Sequence, residues 1–176
     1  MKTEAHILYV LILILLSCNH PKENAEEIVN QWLQKEIKFP ASINNTKQDS
    51  IWQLMLNKDF KLLTIIDTNS CTECRLRFYD WEKYIKDADS TNSNLAFLFI
   101  IHAKNYSIVD TMRKKNKFTY PMFYDYENKV GKLNKFPSNP LFQTFLLDKD
   151  NKVILLGSPI NNYHMWNLYK EIFTKK

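Results

Sequence analysis

Phe60 to Ile85 reads FKLLTIIDTNSCTECRLRFYDWEKYI, and this stretch decides the fold. Phe60, Leu62, Leu63, Thr64, Ile65 and Ile66 form an apolar run of strand length, the composition of a buried strand. Asp67, Thr68, Asn69 and Ser70 end the run, and Cys71, Thr72, Glu73 and Cys74 follow at once. Beyond them Cys74, Phe78, Trp81 and Ile85 recur at helical spacing, which predicts one helix with these four residues on its apolar face. Two cysteines separated by two residues, where a strand gives way to a helix, are a redox arrangement.

The surrounding chain sets bounds on that reading. With 176 residues, 45% of them hydrophobic, it can bury one good core, so one domain plus a leader is expected. The net charge of +5 and pI near 9.0 are spread along the sequence. The one dense basic run, Arg113, Lys114, Lys115 and Lys117, reads as the solvated side or end of a helix, and no nucleic-acid partner is expected. Gly131 and Gly157 are the only glycines, too few for a phosphate-cradling loop or a dinucleotide fingerprint.

Lys2 followed by the apolar run Ile7 to Leu16 is shorter than the ~20 residues of a membrane-spanning helix and reads as a secretory signal. Leu15, Leu16, Ser17 and Cys18 resemble a bacterial lipobox, which implies a lipid on Cys18; the alternative is an ordinary signal peptide with a buried cysteine. The expected division is a leader over 1–17, a tether over 18–24 and a domain over 25–176, anchored to a membrane of the cell envelope and facing the periplasm. Cys71 and Cys74 are then the only pair left, outside the cytoplasm, where disulfides persist. His102 and His164 are the only histidines of that domain and have no zinc-finger spacing to the cysteines, so no metal is assigned. Arg75 after Cys74 removes the covalent haem signature, and no cofactor is expected.

Ala25 to Phe39 has the apolar spacing of an amphipathic helix stopped by Pro40, and Ile51 to Leu56 fits either a short helix or a strand. Leu95 to His102 is a second continuous apolar run, as in a parallel sheet covered by helices on both sides. Tyr106 to Lys117 predicts a helix, Pro121 to Asp125 a short strand, and Asn128 to Phe136 a turn and short helix. Leu141 to Asp148 and Lys152 to Gly157 predict a hairpin, and Asn162 to Phe173 a closing helix. This order predicts an α/β sandwich.

The element order, the CxxC at the first long strand-to-helix turn, Phe-Tyr-Asp at 123 to 125 and the run QTFLLDKDNKV from Gln143 to Val153 resemble thioredoxin-like proteins. More narrowly they resemble membrane-tethered thiol-disulfide oxidoreductases of the TlpA/ResA type, and most of all the exported thioredoxin-like lipoproteins of Bacteroidota. The resemblance covers about residues 50 to 175. It implies a three-layer sandwich with a central mixed sheet of about five strands flanked by helices. It makes Cys71 the attacking thiol and Cys74 the resolving one, with Gln143 and Thr144 in the substrate-facing loop. It also implies exported disulfide-bearing proteins as substrates and a membrane electron donor as partner. A thiol at a helix N-terminus has its anion favoured by unpaired N–H groups and the macrodipole, which agrees with the role given to Cys71.

Three positions depart from the family pattern. Ser70 stands where tryptophan is common, Ile65 where many members bury an acid, and Gln143 where the family has a cis-proline, with Pro140 three residues earlier. Asp67 reads as a strand-end cap or as a substitute base. Three functions compete: a thiol-disulfide oxidoreductase working as a reductase; a lipid-anchored binding module with a static disulfide; and a copper carrier using both thiols and His102.

Overall fold

The computed structural model describes residues 24–43, 49–67, 72–91 and 94–174. Cys18, Cys71, the expected leader and residues 18–23 of the expected tether lie outside the described residues. Helix α1 spans Ala25–Trp32 and α2 Asp49–Leu56. Strand β1, Phe60–Asp67, is followed by α3, Thr72–Leu76, and α4, Phe78–Asp89. Then come β2 (Leu95–His102), α5 (Tyr106–Lys115), β3 (Met122–Tyr124) and α6 (Lys129–Asn134). A 3-10 turn at Pro140–Phe142 leads into β4 (Thr144–Leu147), β5 (Val153–Leu156) and α7 (Tyr163–Thr174).

The strands form one sheet in the order β3-β2-β1-β4-β5, parallel through β3, β2 and β1 and antiparallel from β1 to β4 and β5. β1 and β2 have six consecutive buried residues each, as expected of strands covered on both faces, and of these only Lys61 and Thr64 of β1 are polar. Alternation divides them between two cores. Leu62, Ile66, Phe97, Phe99, Ile101 and Leu146 pack with Trp81 of α4 and Trp166 and Tyr169 of α7. Leu63, Ile65, Leu98, Ile100, Phe123 and Phe145 pack on the other side with Trp32, Trp52 and Val130 of α1, α2 and α6. The result is the expected mixed five-stranded sheet between two helical layers. Lys61, a cation within the apolar run, is buried at the far end of β1 and donates to the carbonyls of Lys58 and Lys149 at 3.1 and 3.0 Å. Burial lowers its pKa, against the opposing fields of Asp148, Asp150 and Asp59.

Three elements differ from the sequence reading. The first helix ends at Trp32 instead of running to Phe39. Gln34 takes a left-handed conformation, φ 65°, and the chain turns to lie along β5. Gln34 N–H donates to Val153 O, Val153 N–H to Lys35 O and Ile37 N–H to Asn151 O, with an antiparallel bridge between Glu36 and Lys152. The segment thereby covers the outer edge of the sheet, which otherwise presents unpaired backbone groups. Asn134 fixes it further: its side chain accepts from Lys38 N–H and donates to Lys38 O, both at 2.8 Å. The second difference is Leu141 to Gln143, where a 3-10 turn over Pro140–Phe142 with Gln143 as its C-cap replaces the start of the strand, because Pro140 begins it and Asn139 caps it by accepting from Leu141 N–H.

The third difference lies in the helix after the cysteines. It is broken at Arg77, whose left-handed φ of 43° ends α3 and starts α4. The break resets the helical phase: Phe78, Trp81 and Ile85 are buried while Cys74 is exposed.

Asp87 of α4 joins that helix to α7. Its carboxylate accepts from Trp166 Nε1 at 2.6 Å and pairs with Lys170 at 3.0 Å. The tryptophan hydrogen bond first, and then Lys170, hold its pKa below the ordinary 3.8 against partial desolvation. A depressed carboxyl pKa stabilises the folded state above the unfolded pKa and loses that contribution as pH falls through the folded pKa. Asp87→Asn, which keeps the acceptor and removes the charge, is therefore expected to melt below wild type at pH 7. The two melting curves should converge as pH falls below the ordinary carboxyl range, as a series of melting temperatures against pH would show.

Candidate active site

The C-terminal end of β1 and the start of β4 hold the candidate site. β1 stops at Asp67, and α3 begins five residues later at Thr72. Cys74 lies in this short helix, exposed and disulfide-bonded. The chain's other cysteines, Cys18 and Cys71, are outside the described residues. α3 has only five residues before the break at Arg77. The helix dipole that the sequence assigns to this junction therefore comes from little more than one turn.

Beside Cys74 is a cavity of about 240 Å³, walled by β1, α3, α4, the 3-10 turn and the loop before α7. Gln143 and Thr144 both line it and are both buried. The Gln143 carbonyl accepts from Ile65 N–H at 2.9 Å, extending the β4–β1 pairing by one bond toward the site. Its side chain donates to Pro137 O at 2.8 Å and accepts from Arg75 Nη2. Arg75 Nη2 also donates to Ile65 O at 3.4 Å. Where the resemblance expects a cis-proline there is a glutamine tied to the cysteine helix through Arg75, and no cis peptide bond occurs among the described residues. Burial lowers the Arg75 pKa, partly offset by the charge of Asp67. Arg77 pairs with Asp80 at 2.7 Å and reaches Asn161 Oδ1 at 3.3 Å.

Sequence reasoning brought Cys74, Gln143 and Thr144 to this place but missed Thr64 and Trp81, which share the cavity wall. Trp81 read as core, and one of its edges is core, against Phe97 and Phe99. No local pattern marks a core tryptophan as also facing a site. His102 ends β2 in register with Asp67. Its Nδ1 lies 3.1 Å from Asp125 O. His164 is exposed in α7. Among the described residues, no group of three or more His, Cys, Asp or Glu is arranged to hold a metal ion, and no helix is long and apolar enough to cross a membrane.

No protein-family model matches the chain, and no curated protein matches it in sequence. Solved structures do match it in fold. A candidate thiol-disulfide oxidoreductase from Bacteroides vulgatus is 15% identical with a TM-score of 0.51, over 66% of this chain and 75% of that one. The thioredoxin domain of a second thiol-disulfide oxidoreductase from Bacteroides vulgatus is 12% identical with a TM-score of 0.50, over 67% and 81%. A candidate protein disulfide isomerase from Bacteroides thetaiotaomicron is 18% identical with a TM-score of 0.50, over 71% and 79%. At these identities the likeness is one of architecture, and it agrees with the strand order and helical layers described above. The chain has the thioredoxin-like α/β sandwich fold.

Proposed function

We propose that the protein is a thiol-disulfide oxidoreductase of the cell envelope, lipid-anchored through Cys18, which reduces disulfides of exported proteins with the Cys71 and Cys74 dithiol. The observation that carries this reading is a disulfide-bonded cysteine, Cys74, in the first helix after the central strand, open to solvent and flanked by a cavity. In the reductive half-reaction the Cys71 thiolate attacks one sulfur of the substrate disulfide, forming a mixed disulfide and releasing the other substrate sulfur as a thiolate that takes up a proton. The Cys74 thiolate then attacks Cys71 Sγ, displaces the second substrate thiol and leaves a Cys71–Cys74 disulfide. A dithiol donor at the membrane returns the pair to its reduced form by the same exchange. Cys71 directly precedes α3 in the sequence, and the free N–H groups of a helix's first turn favour a thiolate next to them.

Equilibration of the full chain against a glutathione series tests this. The expected result is a reversible two-electron transition with a midpoint between about −270 and −180 mV, the span from thioredoxin to protein disulfide isomerase. A midpoint well below about −300 mV would sink the reading, because that is the range of structural disulfides. The bond from Arg75 to Gln143 favours one second reading, a lipid-anchored binding module whose disulfide is a static staple, since it ties the loop that shares the cavity with Cys74 to the cysteine helix.

A further inference from the structure

The cavity beside Cys74 has a chemical bias that thiol exchange by itself does not require. Arg75 and Arg77 line it, and among the described residues lining it there is no Asp or Glu. Arg77 is already paired with Asp80. Arg75 is half-buried within the field of Asp67, and among the described residues its hydrogen bonds leave through Nη2 to neutral acceptors, Ile65 O and Gln143 Oε1. A guanidinium carries five N–H donors in a planar fork, and neither of these bonds draws on Nε or Nη1. Two more polar groups in the same wall are almost wholly buried and make no hydrogen bond among the described residues: Trp81 Nε1, in a residue 1% exposed, and Thr64 Oγ1, in a residue 6% exposed. An indole N–H only donates, so whatever satisfies Trp81 must be an acceptor. A buried indole N–H and a threonine hydroxyl beside a half-buried guanidinium make a wall to which a ligand's acceptor oxygens are suited, and a carboxylate offers two of them together with the charge that matches Arg75.

The geometry points to a carboxylate subsite in this cavity, so that the protein acts on disulfides carrying a carboxylate within a few bonds of the sulfur. Arg75 pairs with the carboxylate, and Trp81 and Thr64 complete the inner wall. This rests on the oxidoreductase reading and names the substrate class of the same site. The carboxylate comes either from an acidic residue beside a protein half-cystine or from a small thiol acid. With a symmetrical small disulfide the reaction is balanced without a further reductant: the reduced protein's two thiols become one disulfide, and the substrate is released as two thiols.

The reduced full-length protein is mixed with dithiodiglycolate, a dianion, or with hydroxyethyl disulfide, which is neutral, and the rate of each reduction is followed. Arg75→Gln is expected to lower the ratio of the dianion rate to the neutral rate by about tenfold, the size of one charge-assisted hydrogen bond, with partial recovery in Arg75→Lys. A readout independent of turnover uses Cys71→Ser: the indole N–H resonance of Trp81, identified by its loss in Trp81→Phe, is expected to shift as dithiodiglycolate is added. Disulfide peptides with Glu or Gln beside the cysteine separate the two sources. A Glu preference lost in Arg75→Gln assigns a protein carboxylate, and selectivity confined to the small disulfides assigns a thiol acid. An unchanged ratio in Arg75→Gln, or an indole resonance that the dianion leaves in place, overturns the subsite. Failure to reduce hydroxyethyl disulfide overturns the oxidoreductase reading instead, and the indole titration then decides the subsite alone, as it also does if Arg75→Gln does not fold.

Discussion

Cys71→Ser is expected to bring disulfide reduction down to the uncatalysed rate, whereas Cys74→Ser is expected to trap substrate as a mixed disulfide on Cys71. The asymmetry follows from the order of the exchange. Without Cys71 there is no attacking thiolate, and without Cys74 nothing displaces the second substrate sulfur. Mass spectrometry of the Cys74→Ser protein after incubation with a disulfide peptide reads the adduct directly, and a turbidity assay on a reducible protein substrate reads the loss of turnover. A static staple predicts a different pattern. Closing so short a loop is worth about 2 kcal/mol in the chain-entropy account, so either substitution would cost that stability alike, with no adduct in one and not the other. Equal effects on stability and no trapped species would remove the catalytic reading.

The second large effect is one of stability. Trp52→Ala is expected to destabilise the fold by about 3–5 kcal/mol, the range for deleting a fully buried large aromatic, and so to lower the melting temperature by roughly 10 °C. Trp52 has no exposed surface. Its ring meets Phe123 of β3 edge-on at 4.8 Å and Phe39 of the leading segment at 5.5 Å. Its Nε1 donates to Pro40 O at 3.2 Å. One side chain of α2 therefore holds the leading segment against the sheet. Denaturant unfolding checks the value. Trp52→Phe, which refills part of the cavity and gives up only the hydrogen bond and some volume, should fall well short of it.

The two cases also show what the sequence could and could not reveal. β1 and β2 were legible because buried parallel strands need unbroken apolar runs, and Leu62 to Ile66 and Leu95 to Ile101 provide them. The hairpin of β4 and β5 was legible from its polar turn, and Asp148 makes that turn by accepting from Asp150 and Lys152 N–H. Ile51 to Leu56 stayed ambiguous because a short apolar run has no decisive period. Ile37 misled, since its spacing from Trp32 and Leu33 suits a longer helix, while its burial arises from pairing along β5. The break at Arg77 had no signal, because a left-handed arginine is chosen by tertiary packing and not by local propensity. At the site, the positions of Cys74 and Gln143 could be read. The tie between Arg75 and Gln143 could not, because it joins residues 68 positions apart and leaves no mark on either neighbourhood.

The clasp of Asn134 on Lys38 has a consequence for the order in which the chain can assemble. Its two halves are 96 positions apart, and the strand edge that the same leading segment covers belongs to β5, still later in the chain. Contacts of such long sequence separation form only after most of the loop-closure entropy has been spent. The first part of the domain to be synthesised is thus among the last to be seated, and the sheet keeps an open flank until nearly the whole polypeptide is present. The interval between synthesis and closure is when this protein is most exposed to edge-to-edge association with other chains.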